Sequence, residues 1–115
     1  MSTIYKTKRS FLMVICVSIA MILQTNNVNA ADGREVYSTY CTMCHATGLN
    51  AAPMYGNKKV WKKIVKTGRD TVYSYAINGL RGMPARGGIA SLTDDEVKAA
   101  VDFLVGGSGG WGDAE

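Results

Sequence analysis

Histidine occurs once in these 115 residues and proline twice, and one of the three cysteines falls within the first thirty positions. So few thiols exclude the disulfide-dense scaffold on which small exported domains often rely. Long hydrophobic runs are missing as well. Residues 11–23 form an uncharged stretch of 13, whereas a bilayer-spanning helix needs about 20. Acidic residues are absent from the first thirty positions, where Lys6, Lys8 and Arg9 precede that apolar stretch. The polar sequence QTNNVNA follows it, and Val28 and Ala30 supply the small-residue pattern of a peptidase site. Residues 1–30 therefore read as a signal peptide cleaved after Ala30, with export to the periplasm; an uncleaved tether to the inner membrane is the alternative. Cys16 follows the bulky Ile15, which does not suit a lipid-anchoring cysteine.

Strong net charge also disappears on maturation. The formal +4 of the whole chain becomes +1 over residues 31–115, where ten basic residues face nine acidic ones. Nucleic-acid binding loses its electrostatic basis there. What remains is one domain of 85 residues, a size that buries only about 60 % of its unfolded surface and is marginal without a staple, metal or cofactor. A disulfide between Cys41 and Cys44 would close a trivial loop. Another component must complete the core.

Cys41, Cys44 and His45 are the only thiols and imidazole of the mature chain and form C-x-x-C-H, the attachment signature for c-type haem. Residues three and four apart share one helical face. Two thiols can then add across the porphyrin vinyl groups, and His45 is directed at the iron. A zinc site needs four ligands and finds three here. A thioredoxin-like pair belongs in a strand-rich fold, and no strand is predicted.

A second axial ligand must come from Met43, Met54 or Met83. Met43 is pinned between the anchoring cysteines, and Met54 lies too close behind His45 to reach the other face. Met83 is 38 residues past His45 in the loop RGMPARGG, whose proline and glycines suit an irregular segment against a flat ligand. Met83 is the expected sixth ligand.

The fold class expected is all-α, three to four helices around one covalently attached haem c. Helices are predicted over residues 33–40, 58–66 and 70–78, the second with Val60, Trp61, Ile64 and Val65 inward and the third ending at Gly79 as a left-handed cap. A last helix opens with a Thr93/Glu96 capping box and a Leu92/Val97 staple, carries Val97, Ala100, Val101 and Leu104 inward, and stops at Gly106–Gly107. Residues 106–115 read as a flexible glycine-rich tail, with Trp111 able to dock.

With these features in place the chain resembles a class I cytochrome c, in detail the bacterial cytochrome c5 group, over residues 33–105. The matching features are Gly33 and Tyr37 ahead of Cys41, then Pro53, Trp61, and GMPARGG…LTDDEVKAAVDFLV. The resemblance implies that Tyr37 packs against Phe103, that the Pro53 carbonyl orients the axial imidazole, and that Tyr37 and Trp61 pack around the haem. Many c5 proteins carry a second cysteine pair after the methionine loop. This chain has Ile89-Ala90-Ser91-Leu92 there, so no shared disulfide is implied.

His/Met ligation leaves no open position on iron and raises the reduction potential. The expected function is therefore a soluble periplasmic electron carrier, not an enzyme, with the redox chemistry belonging to the cofactor. Expected partners are redox proteins such as a membrane-bound quinol-oxidising complex or terminal oxidase. No nucleic acid or small-molecule substrate is expected, and membrane contact is transient unless the signal is retained. A dedicated haem subunit of a larger periplasmic oxidoreductase is the alternative, and a sensor whose methionine leaves the iron is a third reading.

Overall fold

The computed structural model describes residues 30–112. The expected signal segment therefore lies outside the described residues apart from Ala30, as do residues 113–115. The Asp32 side chain accepts from the backbone N–H groups of Arg34 and Glu35 at 3.0 and 3.3 Å and so starts α1 (Gly33–Val36). The chain continues through a π-helical turn, Tyr37–Cys41, into α2 (Thr42–His45). Wide turns of this kind recur at functional sites, and this one delivers Cys41. Gly48, at φ 78°, then reverses the chain into a 3₁₀ turn, Leu49–Ala51.

The Asn57 side chain caps α3 (Lys58–Ile64), which tightens into a 3₁₀ turn, Val65–Thr67. α4 (Arg69–Asn78) follows. Leu80 and Met83 form an isolated antiparallel bridge, a 3₁₀ segment spans Ala85–Gly88, and α5 (Asp94–Gly106) closes the domain. Among the described residues there is no strand, and the architecture is all-α.

α5 organises the core. Its capping box forms as predicted: Thr93 N–H donates to Glu96 Oε2 at 2.7 Å and Glu96 N–H to Thr93 Oγ1 at 3.3 Å. The Thr93 backbone N–H and then the Thr93 hydroxyl, which donates to Glu96 Oε2 at 2.9 Å, hold the Glu96 carboxyl below its usual range. Val97, Ala100, Val101, Leu104 and Val105 are buried against α1 and α4. Gly33 sits where the α1–α5 crossing leaves no room, since a Cβ there would collide with the Ala99 carbonyl.

Three local expectations differ. Val60 is 37 % exposed, because Trp61 and Val65 centre the buried stripe of α3 and leave Val60 at its margin. Gly79 ends α4 with φ 86° and ψ 155°, not in the left-handed helical region; a Cβ there would press on Met83 O and Ala85 N. The stretch from Gly106 to Gly112, expected as part of a flexible tail, is tied to the body at Ser108 and Trp111. Ser108 is 1 % exposed and its Oγ accepts from Gly56 N–H at 2.8 Å. Trp111 Nε1 donates to Asp102 Oδ1 at 2.9 Å, and its ring meets Tyr73 edge-on at 5.7 Å. Glycine makes such a segment pliable, but buried partners hold it.

Candidate haem site

The π turn and α2 bring Cys41 and His45 to an apolar cavity between α1, α4, α5 and the Met83 loop. Val36, Tyr37, Ala76, Met83, Arg86, Leu92, Val97, Ala100, Val101 and Leu104 complete most of its wall. Ala76 and Ala100 keep that wall thin, and no carboxylate lines it. Among the described residues no cluster of histidine, cysteine and acidic side chains could hold a bare metal ion. The donors facing the cavity are instead one imidazole and soft sulfur.

Burial, and secondarily the neighbouring Cys44, pushes the Cys41 thiol up. A redox-active C-x-x-C pair needs the opposite shift, toward thiolate. Cys41 and Cys44 form no disulfide with each other. Cys44, half-buried, lies outside the cavity lining.

His45 is buried, and its Nδ1 lies 2.9 Å from the Pro53 carbonyl oxygen. Residues 53–55 act as a strap around it. Pro53 O takes the imidazole, Met54 O accepts Trp61 Nε1–H at 3.0 Å, and Tyr55 N–H donates to His45 O at 2.7 Å. A ligand histidine usually has its second nitrogen fixed in this way. Trp61 is buried with its ring 6.4 Å from that of His45. It backs the imidazole and is not part of the cavity wall.

Of the three candidate methionines, Met83 alone lines the cavity with His45. Met43 is 74 % exposed and Met54 42 %, the latter lying beside Gly48. Tyr37 lines the cavity and packs on Phe103 at 5.3 Å between ring centroids. Sequence reasoning missed Tyr55, whose ring stacks on Phe103 at 5.6 Å and tilts against Tyr37 at 5.4 Å. It also missed Arg86, which reaches the start of α5. Nothing in the local pattern marks either.

The family model described as cytochrome c oxidase, cbb3-type, subunit III matches residues 28–104. Cytochrome c-555 of Chlorobaculum tepidum is 38 % identical over 104 residues, covering 85 % of this chain and 96 % of that protein. The chain belongs to the class I c-type cytochromes. Near it stands cytochrome c5 of Azotobacter vinelandii, 39 % identical over 79 residues, 67 % of this chain and 95 % of that one. A chain of the solved electron-transfer complex of nitrite reductase with cytochrome c matches this cytochrome with a TM-score of 0.60 at 33 % identity. That match covers 64 % of this chain and 89 % of the solved one.

Membership implies electron transfer on covalently attached haem c, and Cys41 and Cys44 carry the attachment motif. The residues fit that group: two thiols on one turn, a fixed imidazole, a thioether and an apolar wall. No helix among the described residues is long and apolar enough to cross a membrane.

Proposed function

We propose that this cytochrome is an exported, periplasmic one-electron carrier with His45 and Met83 as the axial iron ligands. Cys41 and Cys44 hold the haem by thioether bonds, the Pro53 carbonyl orients His45, and Tyr37 walls the site while Trp61 supports the imidazole from behind. The observation that carries this reading is the convergence of Cys41, His45 and Met83 on one apolar cavity. The haem supplies the redox couple; the chain supplies ligation, burial and a docking face. With both axial positions filled, no coordination site is left for a substrate, and the protein alone is not an enzyme. Its partners are redox proteins of respiration, such as a quinol-oxidising complex or a terminal oxidase.

A second reading, a haem subunit dedicated to one larger oxidoreductase, draws support from the oxidase-subunit description of the matched family. Co-purification in a stable complex separates it from a free carrier.

The test of ligation compares Met83→Ala with Met54→Ala. The Met83 variant is expected to keep its haem in denaturing mass spectrometry. It should lose the weak far-red band of the ferric iron–sulfur bond and bind carbon monoxide when reduced. Met54→Ala should do neither. The reverse pattern would overturn the assignment. A mass that includes residues 1–30 would count against cleavage of the signal segment.

A further inference from the structure

The loop that presents Met83 is closed on its upstream side by backbone alone. Leu80 and Met83 exchange two N–H···O bonds of 3.0 Å. Downstream, Arg86 makes two side-chain hydrogen bonds, one to the residue before the α5 N-cap and one to the first residue of α5. Its Nη1 donates to the Leu92 carbonyl at 2.9 Å and its Nη2 to Asp94 Oδ1 at 2.6 Å. The remainder of Arg86 lines the same cavity as Met83.

Two features show that this arrangement is held against opposing forces. Arg86 has φ 55° and ψ 29°, in the left-handed region that a side chain with a Cβ disfavours. Its guanidinium also sits at the N-terminal end of α5, where exposed N–H groups repel a cation; Asp94 offsets that repulsion. Backbone strain that persists under charge-assisted side-chain bonds marks a position with a task. Arg86 follows Met83 by three residues, with Pro84 stiffening the path between them. A restraint at Arg86 therefore reaches the thioether.

We propose that Arg86 is the positioning residue for Met83: by hooking the loop onto Leu92 and Asp94 of the α5 cap, it holds the thioether in place on the cavity wall. This rests on the reading of Met83 as an axial ligand. A loop so clamped resists displacement of the methionine by competing ligands. Without the clamp the loop swings free while the helical body stays intact.

The experiment uses the holo-cytochrome. Imidazole, which competes with a thioether for ferric iron, is titrated into wild type, Arg86→Asn, Arg86→Lys and Asp94→Asn. The far-red band and the helical circular dichroism are followed together during heating. Asparagine tolerates the left-handed backbone, so Arg86→Asn deletes both side-chain bonds while relieving strain. It is expected to raise imidazole affinity about tenfold or more, the effect of losing a charge-assisted bond. Its far-red band should fade before its helices melt. Asp94→Asn turns one of the two bonds from an ion pair into a neutral hydrogen bond and Arg86→Lys restores part of the pair, so both should fall between.

Wild-type imidazole affinity in Arg86→Asn, or band and helices failing at one temperature, overturns the clamp. If Arg86→Asn does not fold, Asp94→Asn decides: higher affinity at unchanged melting supports the proposal and unchanged affinity overturns it. Met83→Ala serves as the control for the ligand reading. A far-red band that survives there refutes the ligand, whereas a band lost there with a silent Arg86→Asn refutes the clamp alone.

Discussion

Nδ1 of His45 donates to the carbonyl oxygen of Pro53 at 2.9 Å. A carbonyl only accepts, so the proton lies on Nδ1 and the lone pair of the neutral ring is on Nε2, free for a metal. The acceptor is backbone, so replacing the proline ring need not break the bond. Pro53→Ala is expected to retain covalent haem and both axial ligands. Its stability should fall by about 0.5–1 kcal/mol through added freedom of the unfolded chain. Visible spectra and thermal melts check this, and loss of axial ligation would show that the ring itself is needed.

Gly33 is where the α1–α5 crossing is tightest. A Cβ there meets the Ala99 carbonyl, which is backbone and cannot rotate away. Gly33→Ala should destabilise the domain by about 1–3 kcal/mol, as overpacking does elsewhere, despite alanine's better helix propensity. A denaturant melt that showed stabilisation would mean the crossing is looser than the structure has it.

Tyr73 is pushed up to about 12, first by burial and then by its 2.7 Å hydrogen bond to Asp102 and that residue's charge. The folded value lies above the ordinary 10.0, so folding favours the neutral phenol. That contribution is complete below pH 10.0 and is lost as pH rises through about 12. Asp102→Ala should lower the Tyr73 titration, followed by NMR, and at the same time release Trp111, seen as a change in its fluorescence. An unmoved titration would leave burial as the whole cause.

Lys58, Lys59, Lys62, Lys63 and Lys66 are all exposed. The Lys58 stem lies next to Gly109, just beyond the end of α5, while Asp94, Asp95 and Glu96 occupy its first turn. Charge is thus separated along α5 although the net value is small. Electron exchange with an acidic redox protein should slow as salt rises, and glutamine at the five lysines should flatten that dependence. Stopped-flow rates across ionic strength are the measurement; a slope unaffected by the glutamines would mean the face is merely solvated.

Haem attachment, the C-x-x-C-H turn and the helix count are readable in residue order because each rests on short-range physics. Cys41, Cys44 and His45 lie within one turn and a fraction, and the Thr93/Glu96 box closes within four residues. The expectation for Met83 rests on chain reach, which Met43 and Met54 lack, together with the proline and glycines of its loop. Tyr55 and Arg86 could not be read in this way. Their roles depend on α5 passing close to residues 53–55 and on the turn at 84–88 folding back onto its start, and no local pattern encodes which side chain makes either contact. The Gly106–Gly112 stretch shows the same limit. Its composition predicts a loose tail, because glycine enlarges the unfolded ensemble and offers no side chain to bury. Tertiary structure overrides that through Ser108 and Trp111, which find Gly56 and Asp102. Local sequence sets the conformations a segment can adopt, whereas the partners that select one of them are assembled only when the helices pack.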